Sequence, residues 1–196
     1  MHESPPKYPK DARKHKLEGI VDLCLTIAKD GSVVRATAIS GDPGLTVAAE
    51  ESVRKRKYQP FLQDGKPVES QITTAMYFAL TAVGPVVFAI DDPEEEREFA
   101  KILKPGNGVT APHVVYAPNP AYTDEARRDK LQGVSVLALI VDEDGHSRYM
   151  MPMRRLGDGL DENAVTTMKS WRFQPATKDG TPVPVLATVE VAFHLY

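Results

Sequence analysis

The feature that most constrains the fold of this 196-residue chain is an internal repeat. Residues 6–19 return, with substitutions, as residues 120–133, which lie 114 positions further along, and Asp30-Gly31 returns at the same separation as Asp144-Gly145. Three more pairs of segments match at a separation of 115: Gly44-Leu45 with Gly159-Leu160, Tyr58-Gln59-Pro60 with Phe173-Gln174-Pro175, and Asp64-Gly65-Lys66-Pro67-Val68 with Asp179-Gly180-Thr181-Pro182-Val183. The shared order and spacing indicate two domains of one kind.

Each copy shows the same succession of local patterns. A short helix ends at a glycine, a strand with period-two apolar residues follows, and an Asp-Gly turn leads into a second strand. A helix and a long alternating strand complete the copy. These patterns predict an α+β fold, with two copies of a two-layer α-β-β-α-β domain on a three-stranded antiparallel sheet. We place the domains at residues 5–82 and 112–196, joined by an acidic connector with a short helix at residues 83–111.

Composition narrows the possible functions. The net charge of −3 argues against nucleic-acid binding, and the sequence has no apolar run long enough to span a membrane. Ser52 and Lys55 have Ser-x-x-Lys spacing, but the companion motifs that make this pair catalytic are absent. The five histidines show no metal-ligand spacing, and the single cysteine, Cys24, lies in an apolar strand. We therefore expect no catalytic residues, no metal and no cofactor.

The first strand of the second copy, from Gly133 to Val141, is apolar on both faces. One face carries Leu137, Leu139 and Val141. The other face carries Val134, Val136, Ala138 and Ile140. Because an antiparallel sheet of this kind usually leaves one face in water, we expect the second face to be covered by the connector, by the other copy or by a partner chain.

Several motifs of the two copies are typical of one family. In the second copy these are Leu160-Asp161, Trp171-Arg172-Phe173-Gln174-Pro175-Ala176, Gly180-Thr181-Pro182-Val183 and the alternating last strand. The first copy has Tyr8-Pro9 but carries Arg56-Lys57-Tyr58 where the family favours Trp-Arg-Phe, and the second has Tyr122-Thr123 where the family often has Tyr-Pro. Together these motifs resemble the C-terminal domain of TonB, over all of the chain but its N-terminal tip and the connector.

The resemblance implies a protein-binding module rather than an enzyme. TonB-like domains add a short extended segment of an outer-membrane receptor, the TonB box, beside their last strand. In a sheet ordered second-first-third, that strand is an edge whose unpaired backbone groups form a template for strand addition. The side chains expected to be exposed there are Gln71, Thr73 and Tyr77 in the first copy and Thr188, Glu190 and His194 in the second.

The family's receptor-contact motif falls on Tyr8 and Pro9, and on Pro120 and Tyr122. Equally, these residues could do no more than hold the first helix in place. The implied partner is an outer-membrane TonB-dependent receptor or another envelope protein, and the implied location is the periplasm. We expect membrane attachment only through a segment outside this sequence. A cell-envelope scaffold that self-associates as a homodimer through its sheet edges is the alternative.

Overall fold

The computed structural model describes residues 7–195, which form two compact units. One unit comprises residues 7–80 and 85–100, and the other comprises residues 81–84 and 101–195. The predicted domain start at residue 5 and the last residue, Tyr196, lie outside the described residues.

The first unit is built on a four-stranded antiparallel sheet with the order β2-β1-β5-β6. Its elements are, in chain order, α1 (Lys10–Lys14), β1 (Gly19–Ile27), β2 (Val33–Ala38), α2 (Pro43–Val53), β3 (Phe61–Gln63), β4 (Lys66–Val68), β5 (Ser70–Leu80), β6 (Pro85–Ile90) and α3 (Pro93–Phe99). Helix α2 begins where the Asp42 side chain accepts a hydrogen bond from Gly44 N. Its buried face, with Leu45, Ala49 and Val53, packs with the alternating apolar residues of β1 in one core.

The sheet of the first unit has one strand more than the sequence predicts. The chain turns back after β5, where Thr81 N donates to Gly84 O at 2.8 Å, and β6 then pairs with β5 from Leu80↔Pro85 to Ala75↔Ile90. The prediction of three strands is therefore wrong for this unit. An apolar run directly after a strand and a tight turn can bury itself as an additional antiparallel strand, and the connector does so here.

The second unit is built on a three-stranded antiparallel sheet with the order β13-β8-β9. Its elements are β7 (His113–Tyr116), α4 (Asp124–Arg128), β8 (Gly133–Val141), β9 (Ser147–Arg154), α5 (Leu160–Met168), β10 (Arg172–Gln174), β11 (Ala176–Lys178), β12 (Thr181–Val183) and β13 (Val185–Phe193). Both units confirm the predicted α+β class with antiparallel sheets.

The core of the second unit lies between α5 and the sheet. Leu160, Ala164 and Met168 of the helix pack with the first face of β8 and with Trp171. The second face of β8 is buried as well, since Val136 and Ala138 are fully buried and Ile140 nearly so. The expected burial of the second face is therefore confirmed for these three residues, while Val134 is half-buried.

Candidate partner-binding edges

Strand β13 has a strand partner along one side only. It pairs with β8 from Val185↔Val141 to Phe193↔Gly133. On its other side Leu103 N donates to Pro184 O and Leu186 N donates to Leu103 O, both at 2.9 Å. Among the described residues no further strand pairs with this side. Beyond Leu186, β13 is therefore a free edge.

The backbone groups that this edge presents follow from strand geometry. The N–H and C=O of one residue point to the same side of a strand, and successive residues alternate. Because Leu186 directs its N–H away from β8, the outward groups further along belong to Thr188, Glu190 and Ala192. We call these three residues the open edge of β13. Leu195 N, which donates to Gln132 Oε1 at 3.1 Å on the β8 side, fits the same alternation.

The side chains around the open edge differ between its two faces. Ala187 and Val189 point to the core face, where both are half-buried at the border of the apolar core. On the opposite face Glu190 is exposed as predicted, whereas Thr188, which was also expected to be exposed, is half-buried. His194 is exposed but lies just beyond the last residue of β13. Thr188 and Glu190 are thus polar residues of β13 beside the apolar residues Ala138 and Val136 of β8.

The corresponding edge of the first unit is largely closed. Strand β6 covers β5 from Ala75 to Leu80, so it occupies the place that an added strand would take. Thr81 N points to the β6 side, and by the same alternation the groups of Gln71 and Thr73 point outward where β6 no longer reaches. Both side chains are exposed, as predicted. Only this short stretch of β5 stays open among the described residues.

Tyr77 is only 9% exposed, so the expectation that it lies on an exposed edge is wrong. Its ring stacks on Phe88 of β6 at 6.4 Å and lies 5.4 Å from Phe99 of α3. Burial, and to a smaller extent the charge of Glu18, raises the pKa of Tyr77 to about 12. The connector covers this tyrosine, and no signal within the β5 sequence indicates that.

Tyr8 and Tyr122 make the same two contacts in their respective units. The hydroxyl of Tyr8 donates to Leu17 O, and that of Tyr122 donates to Leu131 O at 2.8 Å. Each ring packs edge-on against a phenylalanine ring. The ring centroids of Tyr8 and Phe78 of β5 are 5.5 Å apart, and those of Tyr122 and Phe193 of β13 are 5.6 Å apart. These contacts hold the segment around the first helix of each copy against the sheet.

Pro9 and Pro120 are half-buried beside these tyrosines, and Pro9 directly precedes α1. Burial, with the charge of Glu18 as a second cause, also raises the pKa of Tyr8 to about 12. All four residues stay partly accessible to solvent. Contact of Tyr8, Pro9, Pro120 and Tyr122 with a partner therefore remains a prediction.

A cavity of about 220 Å³ lies in the first unit beside the open stretch of β5. Its lining has no basic side chain and includes the carboxylates of Asp22, Asp91, Asp92 and Glu96. Asp91 Oδ1 is 3.5 Å from an Nη atom of Arg56, and Asp22 Oδ1 is buried and has no hydrogen-bond partner within residues 7–195. The described residues contain no group of three or more His, Cys, Asp or Glu side chains placed to hold a metal ion.

Strand β7 is a further exposed edge, at the start of the predicted second domain. It pairs with β10 on one side, and all four of its side chains are exposed. Val115 is the most exposed of the large apolar residues on this strand, at 71%. The consecutive apolar residues Val114, Val115 and Tyr116 are the sequence signal that could have identified this strand.

The fold and these edges define a class of protein: a small α+β domain, present twice, whose second copy has one edge of its last strand without a strand partner among the described residues. The model of the family described as "Gram-negative bacterial TonB protein C-terminal" matches residues 4–80 and 118–195. The chain belongs to this family, and both copies of its repeat are members. The family is one of the cell envelope, where its members interact with outer-membrane receptors in general.

One similar protein is Protein TonB of Vibrio cholerae, which is 31% identical to this chain over 77 residues. The match covers 38% of this chain and 32% of that protein, so the chain spans about a third of the length of this relative. A similar solved structure is the solution NMR structure of the TonB C-terminal domain from Pseudomonas aeruginosa. It has 14% sequence identity and a TM-score of 0.33, and the match covers 46% of this chain and 92% of that one.

Among the helices within residues 7–195, none has both the length and the apolar character required to cross a bilayer.

Proposed function

We propose that this protein is a periplasmic binding module that takes up an extended segment of an outer-membrane receptor, of the TonB-box kind, as an added strand beside β13. The observation that supports this most directly is the open edge of β13, where the backbone groups of Thr188, Glu190 and Ala192 have no strand partner among the described residues. Unpaired groups of this kind give an added strand its hydrogen bonds whatever its sequence.

The two copies differ in what they can accept. The open edge of β13 offers three successive outward residues, and half-buried Ala187 and Val189 lie beside it for apolar side chains of the partner. In the first copy β6 takes the equivalent place, and only Gln71 and Thr73 stay open. We therefore assign partner binding to the second copy. A role in energy-dependent transport would also require that this protein be coupled to an energy source.

The proposal is tested by titrating the whole protein with a TonB-box peptide and following backbone amides by NMR. Amides from Thr188 to Phe193 should shift. Replacing Ala192 with proline removes one outward N–H, and an edge strand tolerates proline where its N–H faces solvent. The loss of one hydrogen bond, about 1 kcal/mol, should weaken binding by a factor of about 5.

The matched control is Thr73→Pro, which removes an outward N–H from the first copy and should leave the affinity unchanged. If Thr73→Pro weakens binding and Ala192→Pro does not, the first copy is the binding copy. If the peptide shifts amides of neither strand, strand addition is excluded. Self-association through the exposed edges would appear instead as a concentration-dependent dimer in sedimentation.

A further inference from the structure

Glu190 is the only charged residue in β13, and it lies in the middle of the open edge. Its side chain is exposed, and among the described residues its carboxylate has no hydrogen-bond or ion-pair partner. Within the sheet, its cross-strand partner is Val136, and the next residues on that face of β8 are Val134 and Ala138. None of these three neighbours in β8 carries a positive charge that could pair with Glu190.

The first copy has different residues at the positions that correspond to Glu190 and Val136. Residue Ala75 corresponds to Glu190 at the separation of 115, and it pairs with Asp22 and with Ile90 of β6. There the carboxylate belongs to the central strand and accepts a hydrogen bond from Ser40. The fold thus tolerates an uncharged residue at the position of Glu190. In the second copy the charge stands on the strand that lacks a partner.

A strand added to β13 would place one of its residues directly opposite Glu190, on the same face of the sheet. Opposite charges at such paired positions contribute roughly 0.2–1 kcal/mol, and like charges destabilise the pairing. The residues on either side of that one would project to the core face, beside half-buried Val189 and buried Val191. The edge therefore matches a basic residue between two apolar ones.

We propose that Glu190 determines the specificity of this edge by selecting extended segments with lysine or arginine opposite its carboxylate and apolar residues on either side. The proposal rests on strand addition at β13, the proposed function. It adds the chemistry of the partner segment, in the pattern apolar-basic-apolar.

The test uses three peptides that are identical except for the central residue, which is lysine, glutamine or glutamate between two valines. They are titrated into the whole protein, and amide shifts along β13 give the binding site and the Kd. The lysine peptide should bind tightest and the glutamate peptide weakest. The two should differ by a factor of about 5 at low salt and by less at high salt.

Glu190→Lys should reverse the order of the three peptides, and Glu190→Gln should remove the preference. The matched control is Glu143→Lys, which changes the net charge equally at an exposed residue in the turn after β8 and should keep the original order.

Equal affinities for the three peptides, with shifts along β13, would overturn the role of Glu190 and leave strand addition standing. A preference that persists in Glu190→Gln would overturn it too. Peptides that shift no amide of β13 would contradict the proposed function itself.

Discussion

At the scale of single residues, Asp161 is the clearest case of a polar group that the core requires. It is 1% exposed, and its carboxylate accepts hydrogen bonds from Ser135 Oγ at 2.6 Å and from Leu156 N and Gly157 N at 2.9 Å. Hydrogen bonds from several donors satisfy the oxygen atoms of a buried carboxyl group. These bonds tie the segment between β9 and α5 to the sheet. The first copy has Thr46 at the matching position.

Replacing Asp161 with asparagine should destabilise the second unit by about 1–3 kcal/mol, since the new amide would direct N–H groups at backbone N–H donors and leave a buried donor unpaired. Denaturant unfolding followed by the fluorescence of Trp171, the single tryptophan, reports on this unit. The control is Glu162→Gln, an exposed neighbour that should change stability little. Equal stabilities of the two variants would show that the buried carboxylate is not needed.

At the scale of elements, both copies use the same hairpin turn between their first two strands. Gly31 has a φ of +86° and Gly145 a φ of +80°. A Cβ atom would lie 2.0 Å from Tyr58 O at Gly31 and 1.9 Å from Phe173 O at Gly145. Tyr58 N and Phe173 N donate to the carbonyl oxygens of these glycines at 2.8 and 2.9 Å. Each turn therefore also fixes the segment that follows the second helix.

Gly145→Ala should cost well over 1 kcal/mol, because the methyl group adds a clash with backbone to the strain of a positive φ. Gly180→Ala separates the two effects, since Gly180 has nearly the same φ, +79°, and a methyl group there would have no atom within 4 Å. It should cost clearly less. Thermal unfolding of both variants gives the comparison, and similar losses would mean that backbone strain alone makes these positions glycine.

At the scale of the whole molecule, the connector is in part a component of the first unit. Its strand β6 extends the sheet, and Phe88 and Phe99 bury Tyr77 on the face opposite the α2 core. The first unit therefore has apolar packing on both faces of its sheet. The same strand closes the edge at which a partner would be added, which leaves the second unit with the more accessible edge.

Phe88→Ala should destabilise the first unit by about 3–5 kcal/mol, the usual cost of removing a buried phenylalanine. It should also lower the pKa of Tyr77 from about 12 towards its ordinary value, because the hydroxyl regains water. The loss of stability is measured by unfolding the protein and monitoring the backbone amides of β5. The pKa is measured by a tyrosine titration. Phe61→Ala is the control, at a phenylalanine that is 42% exposed. Equal effects of the two variants would mean that β6 is only loosely attached.

Much of the candidate site could be predicted from local patterns. The alternation predicted for the last strand placed Thr188, Glu190 and His194 on one face. The structure has Thr188 and Glu190 on one face of β13, whereas His194 follows the last residue of the strand. Tyr77 was misjudged because period two gives the face of a side chain but not what lies over that face. The exposed edge of β7 was missed since an arm of four residues carries little periodic signal.

The duplication, the main helices and strands of each copy and the hairpin turns could be predicted from the sequence, because these features depend on periodicity and turn chemistry within short stretches of chain. Only the three-dimensional arrangement shows that β6 pairs with β5, that Tyr77 is buried, that Asp161 accepts hydrogen bonds from distant donors, and that the predicted edge is largely closed in the first copy but open in the second among the described residues. Such outcomes depend on backbone groups and surfaces brought together from distant parts of the chain, and an apolar run has the same composition whether it covers an edge or leaves it free.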